Sequence, residues 1–213
     1  MSTIALALAL LAAPAPAAAR EVRVGIGAGA GALTTNTSAY TGELADIGRG
    51  LGSSIRGDEG TRVVPILTQS VWWHVNQRWW VGVQLTERWW WIWAEMYSAT
   101  APAASHRIDR SVLAFDATLQ WMKQYEGPLR AYGGIGPALY WIGTRERGWL
   151  GNQEAIDIGR GGRLVGGFRF GETIAAALEL SMEYFFLPRR NVMLDDGGDA
   201  VAVAIALRVE AWL

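Results

Sequence analysis

The sequence predicts an all-β fold, an eight-stranded antiparallel up-and-down transmembrane β-barrel preceded by a cleavable signal peptide. Three observations predict it, and the first is the placement of the tryptophans. Eight of the twelve fall between Trp72 and Trp93, in clumps. Trp72 and Trp73 precede a short polar turn, Trp79 and Trp80 follow it, and Trp89, Trp90, Trp91 and Trp93 come next. Trp79 and Trp89 are ten residues apart. Strand residues rise about 3.3 Å each, so ten of them tilted by about 40° climb about 25 Å. That is the height of the apolar band of a membrane barrel, which carries an aromatic girdle at each rim. The second observation is a period-two alternation that recurs along the chain, and the third is an alternation of short and long connections.

The N-terminus comes first in order. Residues 4–13 (IALALALLAA) are an apolar stretch of signal-peptide length, and Pro14-Ala-Pro-Ala-Ala-Ala19 supplies the small residues of a cleavage site. This divides the chain into a signal peptide over 1–19 and a barrel domain over 20–213, although Met1-Ser2-Thr3 carries no Lys or Arg. Beyond it no apolar run reaches the roughly 18 residues of a helical span. The formal net charge of −1 gives no basic footprint, which argues against nucleic acid as a partner. The absence of cysteine excludes a disulfide framework, thiolate catalysis, a Cys-ligated metal and a lipoprotein anchor.

Eight strands follow. In 21–33, Val22, Val24, Ile26, Ala28 and Ala30 oppose Glu21, Arg23 and four glycines. Strand 61–73 has no clear phase, because Pro65 and Gln69 fit neither face, and strand 79–93 carries the tryptophan clumps. In 109–122, Leu113, Phe115, Leu119 and Trp121 oppose Asp116, Thr118 and Gln120. In 129–142, Leu129, Ile135, Leu139 and Trp141 oppose Arg130, Tyr132 and Tyr140. In 160–170, Leu164, Phe168 and Phe170 oppose Arg163 and Arg169. In 173–186, Ile174, Leu178, Leu180 and Met182 oppose Glu179, Ser181 and Glu183, and in 200–213 Val201 to Val209 oppose Arg208 and Glu210. Short turns fall near 74–78, 123–128 and 170–172, and the long connections are 34–60, 95–108, 143–158 and 187–199.

The rival fold is a soluble barrel, apolar inside and polar outside. The polar faces decide against it, because they mix glycines with charges of both signs. A solvated exterior uses bulky polar residues and few glycines, whereas a narrow lumen needs small residues beside a few large paired ones. The expected lumen charge network is Arg23, Asp116, Arg130, Arg169, Glu179, Glu183, Arg208 and Glu210. Buried charges must be paired or solvated, so the network is expected to act as a structural plug. The expected membrane-interface aromatics are Trp72, Trp73, Trp79, Trp80, Trp89, Trp90, Trp91, Trp93, Trp121, Trp141 and Trp212.

The signal peptide, the strand pattern, the segment Leu129-Arg-Ala-Tyr-Gly-Gly-Ile-Gly-Pro-Ala-Leu-Tyr-Trp141 and the last strand carry a resemblance. Over roughly 20–213 the chain resembles the small eight-stranded outer-membrane β-barrels, the OmpA-type transmembrane domain and its adhesin and OmpW-like relatives. Such barrels usually end in an aromatic residue; here Trp212 is penultimate and Leu213 is last. The resemblance implies a bacterial outer-membrane location, with outer-membrane lipid and lipopolysaccharide, the barrel assembly machinery, and an extracellular ligand or host surface as partners. It implies a structural or surface-interaction role through long loops. A narrow or gated solute pore is the first alternative and a lipid A-modifying barrel enzyme the second.

Chemistry-bearing motifs are few, and no catalytic residue, metal site or cofactor is assigned. The series Gly25, Gly27, Gly29, Gly31 has period two and lacks the spacing of a dinucleotide loop. His74 and His106 fall at opposite ends of the expected barrel and cannot share a metal. Ser105, His106, Asp109 and Ser111 contain the residue types of a hydrolase triad, but neighbours on one loop rarely achieve its geometry. Asp195-Asp196-Gly-Gly-Asp199 lacks calcium-loop spacing, and Arg56-Gly57-Asp58 is a bare tripeptide in the longest loop.

Overall fold

Extended, alternating segments leave backbone groups that only neighbouring strands can satisfy, and in lipid the sheet must close on itself. The computed structural model describes residues 21–35, 46, 49–50, 54–57, 62–76, 78–97, 104–125, 127–148, 152–187 and 198–213. The expected signal peptide and the Asp195–Asp196 segment lie outside them. Among the described residues there are nine strands: β1 (Val22–Thr35), β2 (Ser54–Gly57), β3 (Arg62–Asn76), β4 (Trp79–Tyr97), β5 (Ala104–Gln124), β6 (Leu129–Gly148), β7 (Gln153–Gly171), β8 (Ile174–Leu187) and β9 (Gly198–Trp212). All strands but β2 pair antiparallel with their neighbours in sequence, and β1 closes on β9 from Arg23↔Trp212 to Thr35↔Ala200. The result is the expected eight-stranded up-and-down barrel, with β2 as an addition that pairs with the end of β4.

The short turns gather at one end, here the turn end, together with the start of β1 and the end of β9. Between β3 and β4 the Asn76 carboxamide oxygen accepts hydrogen bonds from the backbone N–H groups of Arg78 and Trp79, both at 3.2 Å. Between β5 and β6, Gly127 takes φ +74°, which a side chain would oppose. Val22 O accepts from Leu213 N at 2.9 Å, which pins the last residue beside the first strand.

At the other end, the loop end, the structure departs from expectation. The β4–β5 ladder continues to Met96↔Ala104 and the β6–β7 ladder to Glu146↔Gln153, so most of the expected loops 95–108 and 143–158 is strand. In Arg107-Ile-Asp109 and Thr144-Arg-Glu146 the positions in line with the outward apolar residues, Arg107, Asp109 and Arg145, are charged. Their alternation therefore loses its hydrophobic contrast.

β3 now has a phase. Val64, Ile66, Thr68, Ser70 and Trp72 are buried inside, while Val63, Pro65, Leu67 and Gln69 face outward. The outer wall is a continuous apolar surface that includes Ile26, Leu119, Ile135, Leu164, Phe168, Leu180 and Leu207, all exposed. An unshielded belt of this kind requires lipid as its solvent.

Candidate functional site

Two places combine residues capable of chemistry: the lumen and a groove on the outer wall near the loop end. The lumen is stratified. Apart from Arg110, its loop-end half is apolar, built from Leu33, Val64, Ile66, Val112, Ile142, Phe185 and the alanine ladder Ala200, Ala202, Ala204 and Ala206. Tyr140 stacks on Phe185 with ring centroids 4.6 Å apart.

Toward the turn end from this cluster runs a chain of alternating charges. Arg88 pairs with Glu183, which also accepts from the Tyr140 hydroxyl at 3.2 Å. Arg163 is the hub: Nη1 lies 2.7 Å from Asp116, Nη2 2.6 Å from Glu179 and Nε 3.8 Å from Glu183. Glu179 meets Arg208 at 2.7 Å and accepts from the Tyr132 hydroxyl at 3.1 Å. Glu210 then holds Arg208 at 3.0 Å, Arg169 at 3.0 Å and Arg23 at 3.2 Å. The neutral amides of Gln120 and Gln84 accept from Arg23 at 2.8 Å and Arg208 at 2.9 Å. Desolvating each charge costs several kcal/mol, and only such a connected set of pairs and hydrogen bonds offsets that cost.

Seven of the eight residues expected in this network are in it. Arg130 is apart: half-buried at the turn end, it stands 5.5 Å over the Trp212 ring, and its Nε meets no acceptor. Arg88 and Arg163 are missing from the expected network, although the alternation of 160–170 puts Arg163 on the same polar face as Arg169 and both occupy inward positions. Their partners come from β8 and β5, and the stagger of neighbouring strands, which a single-strand pattern does not carry, sets those meetings.

The expected interface aromatics need correction. Trp73, Trp79, Trp89, Trp91, Trp121 and Trp141 face outward, but Trp72 and Trp80 are buried in the lumen and Trp212 packs against them. Consecutive residues on a strand point to opposite faces, so Trp72-Trp73 and Trp79-Trp80 each had to send one ring inward. Inside, the rings offer electron-rich faces to guanidinium groups. Arg23 lies 5.4 Å from Trp72 and 4.8 Å from Trp80, and Arg169 lies 4.7 Å from Trp212. Gly82 makes room for the Trp72 indole, since a Cβ there would come within 2.5 Å of Trp72 Cδ2. The side chains of Trp90 and Trp93 lie outside the described residues.

The outer-wall groove has a volume of about 590 Å³ and is lined by Trp89 and Trp91 of β4, Arg107, Asp109 and Ser111 of β5, Gly143 and Arg145 of β6, and Glu154 and Ile156 of β7. Arg107 pairs with Asp109 and Arg145 with Glu154, each at 2.6 Å, and Arg107 also lies 5.5 Å over Trp91. Ser111 and Asp109 share this face, but a hydroxyl needs a base to become a nucleophile. The side chains of Ser105 and His106 lie outside the described residues, as do those of Arg56, Asp58 and Asp199. His74 is at the turn end, stacked on Trp80 at 4.7 Å and 3.4 Å from Glu21. No cluster of three metal-binding side chains occurs among the described residues.

Comparison with known proteins gives a fold and no sequence relative. No protein-family model matches the chain, and no curated protein matches it. Among solved structures, the crystal structure of Neisserial surface protein A matches with TM-score 0.57 and 12% identity, over 89% of this chain and 96% of that one. Ail, the attachment invasion locus protein of Yersinia pestis, matches with TM-score 0.49 and 12% identity, over 91% and 99%. At such identity the likeness establishes the fold alone: that of the small outer-membrane β-barrels.

Proposed function

We propose that this chain is an integral protein of the bacterial outer membrane that works from its outer surface and not through its lumen. The stratified lumen carries this reading. Apolar packing over one half and a connected charge network over the other leave the interior filled like a protein core, which supports a structural plug over a pore. Strands β4–β7 rise past the outward Trp89 and Trp91, which supports a surface-interaction role for the sheet and loops they carry. The outer-wall groove, with two tryptophans beside two arginines, supports contact with outer-leaflet lipid and lipopolysaccharide; an extracellular ligand or host surface is the partner proposed for the loops. The alternating last strand supports handling by the barrel assembly machinery.

Replacing 94–107 and 145–154 with tight turns tests the reading. The shortened protein is expected to keep heat-modifiable gel migration in outer-membrane fractions while bacteria displaying it lose adhesion to a host-cell monolayer. Steady wild-type conductance in planar bilayers, or adhesion unchanged by the shortening, would refute it.

A further inference from the structure

The charges of the lumen do not balance. Among the described residues, and leaving aside Arg110 at the loop end, Arg23, Arg88, Arg163, Arg169 and Arg208 are buried there against Asp116, Glu179, Glu183 and Glu210, five guanidiniums to four carboxylates. The excess lies toward the turn end. Arg23 and Arg169 lie 3.2 and 3.0 Å from the same oxygen of Glu210, so two guanidinium groups crowd one carboxylate atom. Arg208 holds the other oxygen, while Glu179 divides itself between Arg208 and Arg163. The aromatic faces of Trp72, Trp80 and Trp212 relieve part of this, but each such contact is worth only about 0.5–2 kcal/mol.

Hydrogen-bond donors remain at the same place. Nη1 of Arg23 and Nη1 of Arg169 meet no acceptor among the described residues, although both side chains are fully buried, and neither do the indole N–H groups of Trp72 and Trp212. A buried charge-bearing donor without an acceptor costs more than an ordinary lost hydrogen bond. These donors sit just inside a floor made by Trp80 and Trp212, whose rings meet edge to face at 5.1 Å. Outside that floor a vestibule of about 440 Å³, lined in part by His74, Met122, Gln124, Arg130 and Glu172, opens at the turn end. In the opposite direction lies the apolar cluster of the loop-end half.

We propose that the turn-end lumen is a binding site for a small inorganic anion of halide size, held by Arg23 and Arg169 behind the Trp80–Trp212 floor. The anion neutralises one surplus guanidinium and accepts from donors that no group among the described residues satisfies. Access is from the vestibule only, so the site binds without conducting.

The test uses the purified full chain refolded in detergent, with chloride exchanged for gluconate at constant ionic strength and pH. An ion that binds only the folded barrel raises the folded-to-unfolded ratio about tenfold once its concentration exceeds its Kd about tenfold. Chloride is expected to do this saturably and gluconate, too large for the floor, not at all. Arg169→Gln, with one guanidinium fewer, is expected to lose the chloride response. Crystals grown in bromide are expected to show an anomalous peak beside Arg23 and Arg169. A wild type indifferent to chloride, or an Arg169→Gln protein that responds as the wild type does, overturns the proposal. Should that variant fail to fold, the bromide map decides, and a map with no peak at this pair overturns it too.

Discussion

Replacing Arg163 with methionine removes the hub of the lumen network while keeping most of its apolar stem. The consequence differs among its three carboxylates. Glu183 keeps Arg88, and Glu179 keeps Arg208 at 2.7 Å. Asp116 keeps only the Thr118 hydroxyl, which donates to it at 2.7 Å. One buried carboxylate is therefore left without a cation, and breaking a buried pair in this way costs about 3–5 kcal/mol. Substituting both partners, Arg163→Met with Asp116→Asn, removes the orphaned charge and is expected to recover most of the loss, because replacing both members of a buried pair is often close to neutral. Urea unfolding in detergent micelles, followed by tryptophan fluorescence and by heat-modifiable migration, measures both variants against wild type. The reasoning fails if Arg163→Met lies within about 1 kcal/mol of wild type, or if the double variant is no more stable than the single one. Either result would mean that water reaches Asp116 and that the network is solvated.

Two further predictions follow from the walls of the barrel. Leu164→Arg places a charge mid-height on the lipid face, between Ile135 and Met182. It is expected to cost about 2–4 kcal/mol, against about 0–1 for Ile156→Arg beside the outer groove; equal costs in lipid-vesicle refolding would place the bilayer wrongly on the wall. Gly82→Ala puts a Cβ against the Trp72 indole and 2.7 Å from Val71 O. An overpacking loss of about 1–3 kcal/mol in the same unfolding assay is expected, and a stability equal to wild type would show that the indole moves freely in the lumen.

The barrel was legible where the bilayer imposes contrast between faces. Leu164 and Phe168 alternate with Arg163 and Arg169, and that parity alone assigns lipid and lumen. The contrast vanishes above the outward tryptophans, so Arg107 and Thr144–Glu146 read as loop although they pair as strand. The inward turn of Trp72 and Trp80 was legible in principle, since adjacent strand residues cannot share a face; the girdle spacing gives their depth and leaves their direction to parity. The meetings of Arg163 with Asp116 and Glu179 were not legible, because they depend on the shear between β5, β7 and β8, which no single strand's pattern encodes.

The seam between the first and last strands has a kinetic meaning. Arg23 belongs to β1 and Glu210 to β9, so their contact joins the two ends of the barrel sequence. Hairpins such as β4–β5 and β6–β7 can zip locally, but this pairing must wait for nearly the whole chain, and contacts of such separation form slowly. Until the seam shuts, Glu210 has no Arg23 to hold and two strand edges stand open in lipid, where unsatisfied backbone groups are costly. The clasp that stabilises the finished barrel therefore contributes nothing to its early assembly. A chain arrested before closure lacks the Arg23–Glu210 pair and keeps two strand edges open.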